Sequence, residues 1–321
     1  MARRRIIKAV DLFAGVGGSS AGARAAGVRV VAAIDTWELA KTTYKSNFPE
    51  VKFLWSKCED VDLVKLKKQL GRVDLILASP ECTSHTCAKG SAPRSEESRG
   101  TAFEVLRFAA ILLPRWIVIE NVVHMRKWDR YKGWLKKIQS MGYKVRTQVI
   151  NSADHGVPQS RRRLFILCDR QATPPKVEPT SAVPRTVKSV IFPNGTFPFT
   201  PLNSPNRATA TLERAARAMK RLGETEPFLL VYYGSDAAGG WQTIDRPLRT
   251  LTTVDRFGYV RPCQGGHEMR MLQVPEIKAA MGFPEKHRFD HGSRREKIKL
   301  LGNAVCPPVM KAAIESLTQK I

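Results

Sequence analysis

Apolar residues in the first half of the chain follow two alternating rhythms. Dense runs of Val, Ile, Leu and Ala fall at 6–13, 28–34, 51–55, 73–78, 116–120, 143–150 and 163–168. Their lengths suit buried strands. Between them, at 19–26, 37–47, 62–70, 101–113 and 130–141, apolar positions recur at three- and four-residue intervals, which predicts helices. The first helix stops at Gly27 and the second ends before Pro49. Strands alternating with helices predict an α/β fold with a doubly wound, mostly parallel sheet.

The rhythm is lost after Asp169. Residues 171–205 hold eight of the chain's twenty prolines and little periodicity, which reads as a linker or an irregular entry into a second unit. A basic helix is expected at 211–222, with Arg214, Arg217, Lys220 and Arg221. Segments rich in aromatics and glycine follow, around 228–234 and Trp241. The stretch 298–321 carries a Gly-Asn-Ala-Val turn and an apolar helix. The expected division is a larger unit of 1–170 plus 296–321 and a smaller, irregular unit of 171–295.

Charge narrows the class. The 53 basic and 29 acidic residues leave a net +24, far above what solubility asks for, and nucleic acid is the leading polyanion to match it. The charge is spread along the chain, with no single basic amphipathic helix of the kind that lies on membranes. The longest apolar stretch, 111–119, is broken by Pro114 and Arg115, and the N-terminus shows no signal-peptide pattern, so an intracellular protein is expected. No pair of the six cysteines has zinc-ligand spacing, and none suggests a disulfide framework. No metal site is expected.

Two segments carry candidate chemistry. The strand at 73–78 runs into Ser79-Pro80-Glu81-Cys82, and a thiol on a proline turn at a strand end is well placed for nucleophilic work. On this segment alone, a nucleophile and a small core residue weigh about equally. The strand at 6–13 runs into Asp11-Leu12-Phe13-Ala14-Gly15-Val16-Gly17-Gly18, where glycines allow a nucleotide close to the backbone. Asp35 ends the second strand, where a carboxylate can accept hydrogen bonds from a ribose diol. The G-x-G-x-x-G fingerprint is missing, so nothing here points to pyrophosphate.

Taken together, these segments resemble a known family. Asp11 to Gly18 is similar to the first motif of the C5-cytosine DNA methyltransferases, and Pro80-Glu81-Cys82 to their nucleophile motif. Glu120-Asn121-Val122 matches their Glu-Asn-Val motif, and Gln159-Ser160-Arg161-Arg162-Arg163 their Gln-x-Arg-x-Arg motif. Residues 246–252 look like the ninth motif, and Gly302-Asn303-Ala304-Val305 before Pro307-Pro308 like the tenth. Each motif alone is weak, whereas six in order are specific. The resemblance covers the chain except roughly 171–240.

The resemblance implies a DNA (cytosine-5-)methyltransferase with a Rossmann-like catalytic unit and a target-recognition domain. Cys82 would add to C6 of a cytosine flipped out of the duplex, and Glu120 would assist as general acid at N3. Arg163 would hold the base O2 and Arg161 the region of the thiol. The methyl donor, S-adenosyl-L-methionine, would lie against Phe13, Gly15 and Gly17, with Asp35 at its ribose, Asp60 at its adenine edge and Asn303 closing the pocket. Glu59 is an equally placed acidic neighbour of Asp60. The loop 83–100 would close over the flipped base, with Gly90 and Gly100 as hinge candidates.

Three positions depart from the family pattern. Glu81 stands where proline is common, His124 where glycine is usual and His85 where an aromatic is frequent; neither histidine is given a role. The expected partner is double-stranded DNA, with no membrane, acting as a monomer in the cytoplasm of a bacterial or phage-infected cell. A cognate restriction endonuclease is a further candidate partner. The same chemistry on tRNA is the nearest alternative, but those enzymes typically carry a Cys-Phe-Thr stretch that is absent here. A non-catalytic DNA-binding relative would lack Cys82, Glu120 or Arg163. A small-molecule methyltransferase would not need so large a positive charge.

Overall fold

The first seven strands of the computed structural model carry the expected alternation almost element for element; the structure describes residues 5–81, 96–192, 195–232 and 239–318. They are β1 (Lys8–Leu12), β2 (Arg29–Asp35), β3 (Lys52–Trp55), β4 (Leu75–Ala78), β5 (Trp116–Asn121), β6 (Lys144–Asn151) and β7 (Arg162–Asp169). Between them lie α1 (Gly18–Ala25), α2 (Glu38–Asn47), α3 (Leu63–Leu70), α4 (Glu96–Leu112) and α5 (Tyr131–Ser140). Asp62 shows why one of these helices starts where it does: its carboxylate accepts the Lys65 N–H at 2.9 Å and caps α3.

The sheet order is β3-β2-β1-β4-β5-β7-β6. Strands β3 to β5 run parallel, whereas β7 is antiparallel to both β5 and β6. The chain moves outward from β1 to β3 and then returns to β4 on the other side of β1. Between β1 and β4, therefore, the direction of winding reverses. In open α/β sheets the crevice at such a switch is where ligands bind. Ala9, Val10, Leu12 and Leu75 to Ala78 are fully buried, as strands covered on both faces require. One face packs against α3, α4 and α5, and the other against α1 and the C-terminal helix α9 (Pro307–Thr318).

The second unit is more regular than the sequence suggests. It is a five-stranded antiparallel sheet in the order β10-β9-β11-β12-β8. Its strands are β8 (Thr200–Pro201), β9 (Phe228–Val231), β10 (Trp241–Thr243), β11 (Phe257–Cys263) and β12 (Gly266–Met271), with α6 (Thr209–Leu222) on one face. Leu202, Ala215, Ala218, Phe228, Leu230, Val260 and Met269 form a small core of their own. The proline-rich stretch before it is not a free linker. Arg146 Nε donates to Pro174 O at 2.6 Å, and Gln148 exchanges hydrogen bonds with the Val177 backbone at 2.9 and 3.0 Å. These bonds hold the stretch alongside β6, the edge strand of the sheet.

Residues beyond β12 return to the larger unit. Ile277, Ala280 and Met281 of α7 (Val274–Ala280) and its end, with Phe283, Phe289 and residues of α8 (Arg294–Asn303), are part of the main core. A buried ion pair joins the two units. Glu276 on α7 accepts both Nη1 and Nη2 of Arg270 on β12 at 2.7 Å, the Gln273 N–H at 2.7 Å and the Phe192 N–H at 2.9 Å. Among the described residues, no helix is long and apolar enough to cross a membrane.

Breaking a buried pair is far more damaging than never having had it. Glu276→Gln would leave the Arg270 guanidinium facing a neutral amide inside the protein, and is expected to cost about 3 kcal/mol of unfolding free energy. Urea titration checks this; a loss below about 1 kcal/mol would contradict the structural weight given to the pair.

Candidate active site

The turn between β1 and α1 is held in an unusual shape. Phe13, Gly15 and Gly17 all take positive φ, at 58°, 51° and 85°. For a phenylalanine this region is strained, and such strain tends to persist where surrounding contacts enforce it. Those contacts are visible. Ser79 Oγ donates to Phe13 O at 3.0 Å, and the Ala14 N–H to Ile34 O at 3.0 Å. The Gly15 N–H donates to Asp35 Oδ2 at 2.8 Å. A Cβ on Gly17 would come within 2.5 Å of the Phe48 ring, whereas one on Gly15 would meet nothing within 4 Å. Gly17 therefore seats the turn on the protein, and Gly15 faces open space at the switch point.

Asp35 completes this corner. Its Oδ1 accepts the Trp37 N–H at 2.9 Å and the Thr36 N–H also acts on the carboxylate, whose two oxygens keep capacity for a further donor. Burial pushes its carboxyl above the ordinary range, against the pull of the Trp37 and Gly15 N–H groups; the charge of nearby Glu81 adds to the rise. Glu81 itself is exposed. Asp60 lies in a short helical turn after β3, at the same end of the sheet. Glu59 and Asp60 are both exposed, and Glu59 lies 3.1 Å from Lys57 Nζ. Asn303 is exposed at the end of α8, and two residues on, Val305 packs so tightly on Gly18 that a Cβ there would lie 2.2 Å from Val305 O. These features fit a nucleoside with a ribose diol: an open glycine face, a carboxylate with free acceptor capacity and a second acidic residue nearby.

Beneath the turn, Asp11 is fully buried. Ser20 Oγ donates to its Oδ2 at 2.6 Å and lies 2.6 Å from Tyr44 Oη. Burial, aided by the charge of Asp35, raises the Asp11 carboxyl from 3.8 to about 7, against the pull of Ser20.

The second half of the site lies on the other side of β4. Glu120, at the end of β5, is 7% exposed, and Arg163 Nε on β7 lies 3.3 Å from its Oε1. Burial raises the Glu120 carboxyl, opposed by the charges of Arg163 and then Arg161. Asn121 Nδ2 donates to Pro80 O at 3.0 Å, which fixes the turn that leads to Cys82. Cys82 itself, the loop 83–95 with His85 and Gly90, and the side chains of 96–99 lie outside the described residues. Gly100, a hinge candidate from sequence, sits within α4.

Arg161 has other partners than sequence reasoning supplies. It is 4% exposed and donates to three carbonyls: Leu251 at 3.0 Å, Gly302 at 2.8 Å and Ala304 at 3.2 Å. Gln159, fully buried, donates to Ala280 O at 3.1 Å and accepts the Leu251 N–H at 2.9 Å. These two side chains lock the 246–252 and 302–305 segments onto β7. Backbone carbonyls have no sequence signature, so this role could not be read in advance. Of the described cysteines, Cys58, Cys168 and Cys306 are buried and Cys263 is exposed on the β11–β12 hairpin. Burial pushes all three buried thiols up, Cys58 to about 12, so they stay protonated and unreactive near neutrality.

Comparison with known proteins places these features in one group. The family model described as C-5 cytosine-specific DNA methylase matches residues 7–319. The chain is 31% identical over 175 residues to the Type II methyltransferase M.HgiDI of Herpetosiphon aurantiacus, covering 52% of this chain and 53% of that protein. It thus spans about half the length of the curated relatives it matches at that level. A fuller match, 26% identical over 343 residues, covers 98% of this chain and 96% of the Type II methyltransferase M.FnuDI of Fusobacterium nucleatum. Among solved structures, the Entamoeba histolytica methyltransferase EhMeth superposes with a TM-score of 0.72 at 15% identity, covering 99% of both chains, a likeness of fold.

The buried acid beneath the turn gives a pH dependence with a definite sign. Folded Asp11 keeps its proton up to about pH 7, whereas the unfolded chain releases it near 3.8. The stability tied to this proton is complete below pH ~4 and is lost as pH rises through ~7. Between pH 5 and 8, Asp11→Asn is expected to gain on the wild type by about 1–3 kcal/mol in urea unfolding. An identical pH response in both proteins would contradict the raised value.

Proposed function

The chain belongs to the C-5 cytosine-specific DNA methylase family, and from that premise we propose that it transfers a methyl group from S-adenosyl-L-methionine to C5 of a cytosine in double-stranded DNA. The observation that carries this reading is Glu120, buried 3.3 Å from Arg163 and followed by the asparagine that holds the turn before Cys82. A carboxyl raised by burial can share a proton with a ring nitrogen, and a guanidinium beside it can hold a carbonyl oxygen.

The Cys82 thiolate forms a bond to C6, and Glu120 supplies a proton or a hydrogen bond to N3, so that the ring electrons gather at C5. When bound, the cofactor would supply an electrophilic methyl group; C5 attacks it as the methyl–sulfur bond breaks, and the electron pair stays on the sulfur of the departing thioether. A base then removes the C5 proton, the Cys82–C6 bond breaks, and N3 gives its proton back to Glu120. Arg163 holds O2 throughout, and Arg161 acts on the site by fixing the segments around it. Phe13, Gly15 and Gly17 receive the cofactor, Asp35 accepts from its ribose, Asp60 meets its adenine edge and Asn303 closes the pocket. Flipping the cytosine out of the stack is required because C5 and C6 are covered in a duplex.

The target-recognition segment is 171–295, and within it readout falls to the sheet of β8 to β12 and the basic helix α6, which offer side chains for base edges and phosphates, while its residues after β12 pack on the larger unit. The chain acts as a monomer in the cytoplasm of a bacterial or phage-infected cell. The Type II naming of its relatives favours a cognate restriction endonuclease in the same system.

Trapping tests this reading. Fluorine at C5 cannot leave as a proton, so duplex DNA with 5-fluorocytosine should hold the wild-type protein covalently in the presence of cofactor. Cys82→Ala should form no adduct while still binding the duplex. Asp35→Ala should need roughly ten- to a hundredfold more cofactor, the loss of one hydrogen bond to a charged group. An adduct with Cys82→Ala would overturn the nucleophile, and an unchanged cofactor requirement in Asp35→Ala would overturn the pocket. Sequencing the trapped duplexes reads the target, and exchange of 171–295 for a relative's segment should change it.

A further inference from the structure

The strained turn that faces the cofactor crevice is held from one distant direction that the family motifs do not include. His287, in the segment after α7, is 6% exposed, and its Nε2 lies 3.0 Å from Val16 O. A carbonyl only accepts, so Nε2 carries the proton and the ring donates. Val16 sits between Gly15 and Gly17, both at positive φ. The ring itself is locked in place. Its centroid lies 4.6 Å from that of Phe283, 5.3 Å from Phe289 and 5.9 Å from Phe48. Phe48 is the same ring that leaves no room for a Cβ on Gly17. Lys278 Nζ donates to His287 O at 3.1 Å and fixes the backbone of the segment.

We propose that His287 is a positioning residue for cofactor binding: its Nε2–H fixes the Val16 carbonyl and so holds the Gly15–Gly17 turn in the shape that receives S-adenosyl-L-methionine. This inference rests on the cofactor reading given above. Of the hydrogen bonds on the turn, those with Ser79, Ile34 and Asp35 come from the neighbouring strand ends, and the Gly17 N–H closes back on Ala14 O at 2.9 Å. They fix Phe13, Ala14 and Gly15. The carbonyl of Val16 points elsewhere, and His287 is what holds it. A left-handed residue such as Phe13 stays in place only while its surroundings over-determine it. The donor is present throughout the neutral range, because burial, reinforced by the charges of Lys278 and Arg24, lowers the ring to about 4 against the pull of the Val16 carbonyl.

The test compares two variants of the full-length protein by calorimetry with S-adenosyl-L-methionine at neutral pH. His287→Phe keeps an aromatic ring in the cluster and removes the donor; His287→Gln gives up the ring and keeps an N–H within reach of Val16. We expect His287→Phe to bind cofactor about five- to tenfold more weakly, the worth of one hydrogen bond. His287→Gln should regain most of that affinity, even if its melting temperature is the lower of the two. Duplex binding without cofactor should be the same in both. A purely structural histidine would give the reverse, with cofactor affinity following the melting temperature, and that result would overturn the inference, as would wild-type affinity in His287→Phe. If His287→Phe does not fold, His287→Asn, whose shorter amide cannot reach Val16, takes its place with the same expected loss. Failure of the wild type to bind cofactor would overturn the cofactor reading and this inference with it. Wild-type binding with an unchanged donor-less variant would overturn this inference alone.

Discussion

The burial of Glu120 against Arg163 is the constraint to which the larger unit is fitted. A carboxyl in water gives up its proton too readily to serve a weakly basic ring nitrogen. Taken out of water, it holds the proton longer, but it then needs a cation close by when it ionises. The sheet supplies both conditions. Glu120 ends β5, where strands pack on either side, and β7 runs antiparallel beside it, bringing Arg163 to 3.3 Å. An all-parallel sheet would start its next strand at the opposite end and could not place residue 163 there. The switch from parallel to antiparallel pairing between β5 and β7 is therefore what brings this carboxyl and guanidinium together.

From this pair the rest of the site follows outward. Arg161, two residues before Arg163, turns to the Leu251, Gly302 and Ala304 carbonyls and ties in the last two motif segments. The second of these brings Val305 onto Gly18, beside the strained turn of the cofactor crevice. That turn is in turn bonded to Asp35 and Ser79. Glu120, the turn at 13–17 and the C-terminal helices thus share one continuous set of contacts, and the two halves of the proposed site flank β4, whose end leads to Cys82.

Much of this was legible in the sequence, for reasons that are local. Strand and helix periods, Gly27 as a helix stop and Asp35 at a strand end all act within a few residues of themselves. The six motifs fall at strand ends and turns of the larger unit, because their spacing reflects the alternation of strand and helix. What escaped was long-range. The hairpin of β11 and β12 alternates too weakly, with Arg261, Glu268 and Arg270 paired or buried rather than solvated. The proline stretch reads as a linker because its partners are side chains of β6, about 28 residues earlier. His287 gives no signal at all, since its acceptor is a carbonyl 271 residues away.

The central claim is that the methyl group replaces the hydrogen at C5, and the fate of that hydrogen tests it most directly. Duplex DNA carrying tritium at C5 of cytosine, incubated with the protein and S-adenosyl-L-methionine, should release tritium to water in proportion to the methyl incorporated. Methyl incorporation with the tritium retained in the DNA would contradict the account, because the group would then have gone to another atom.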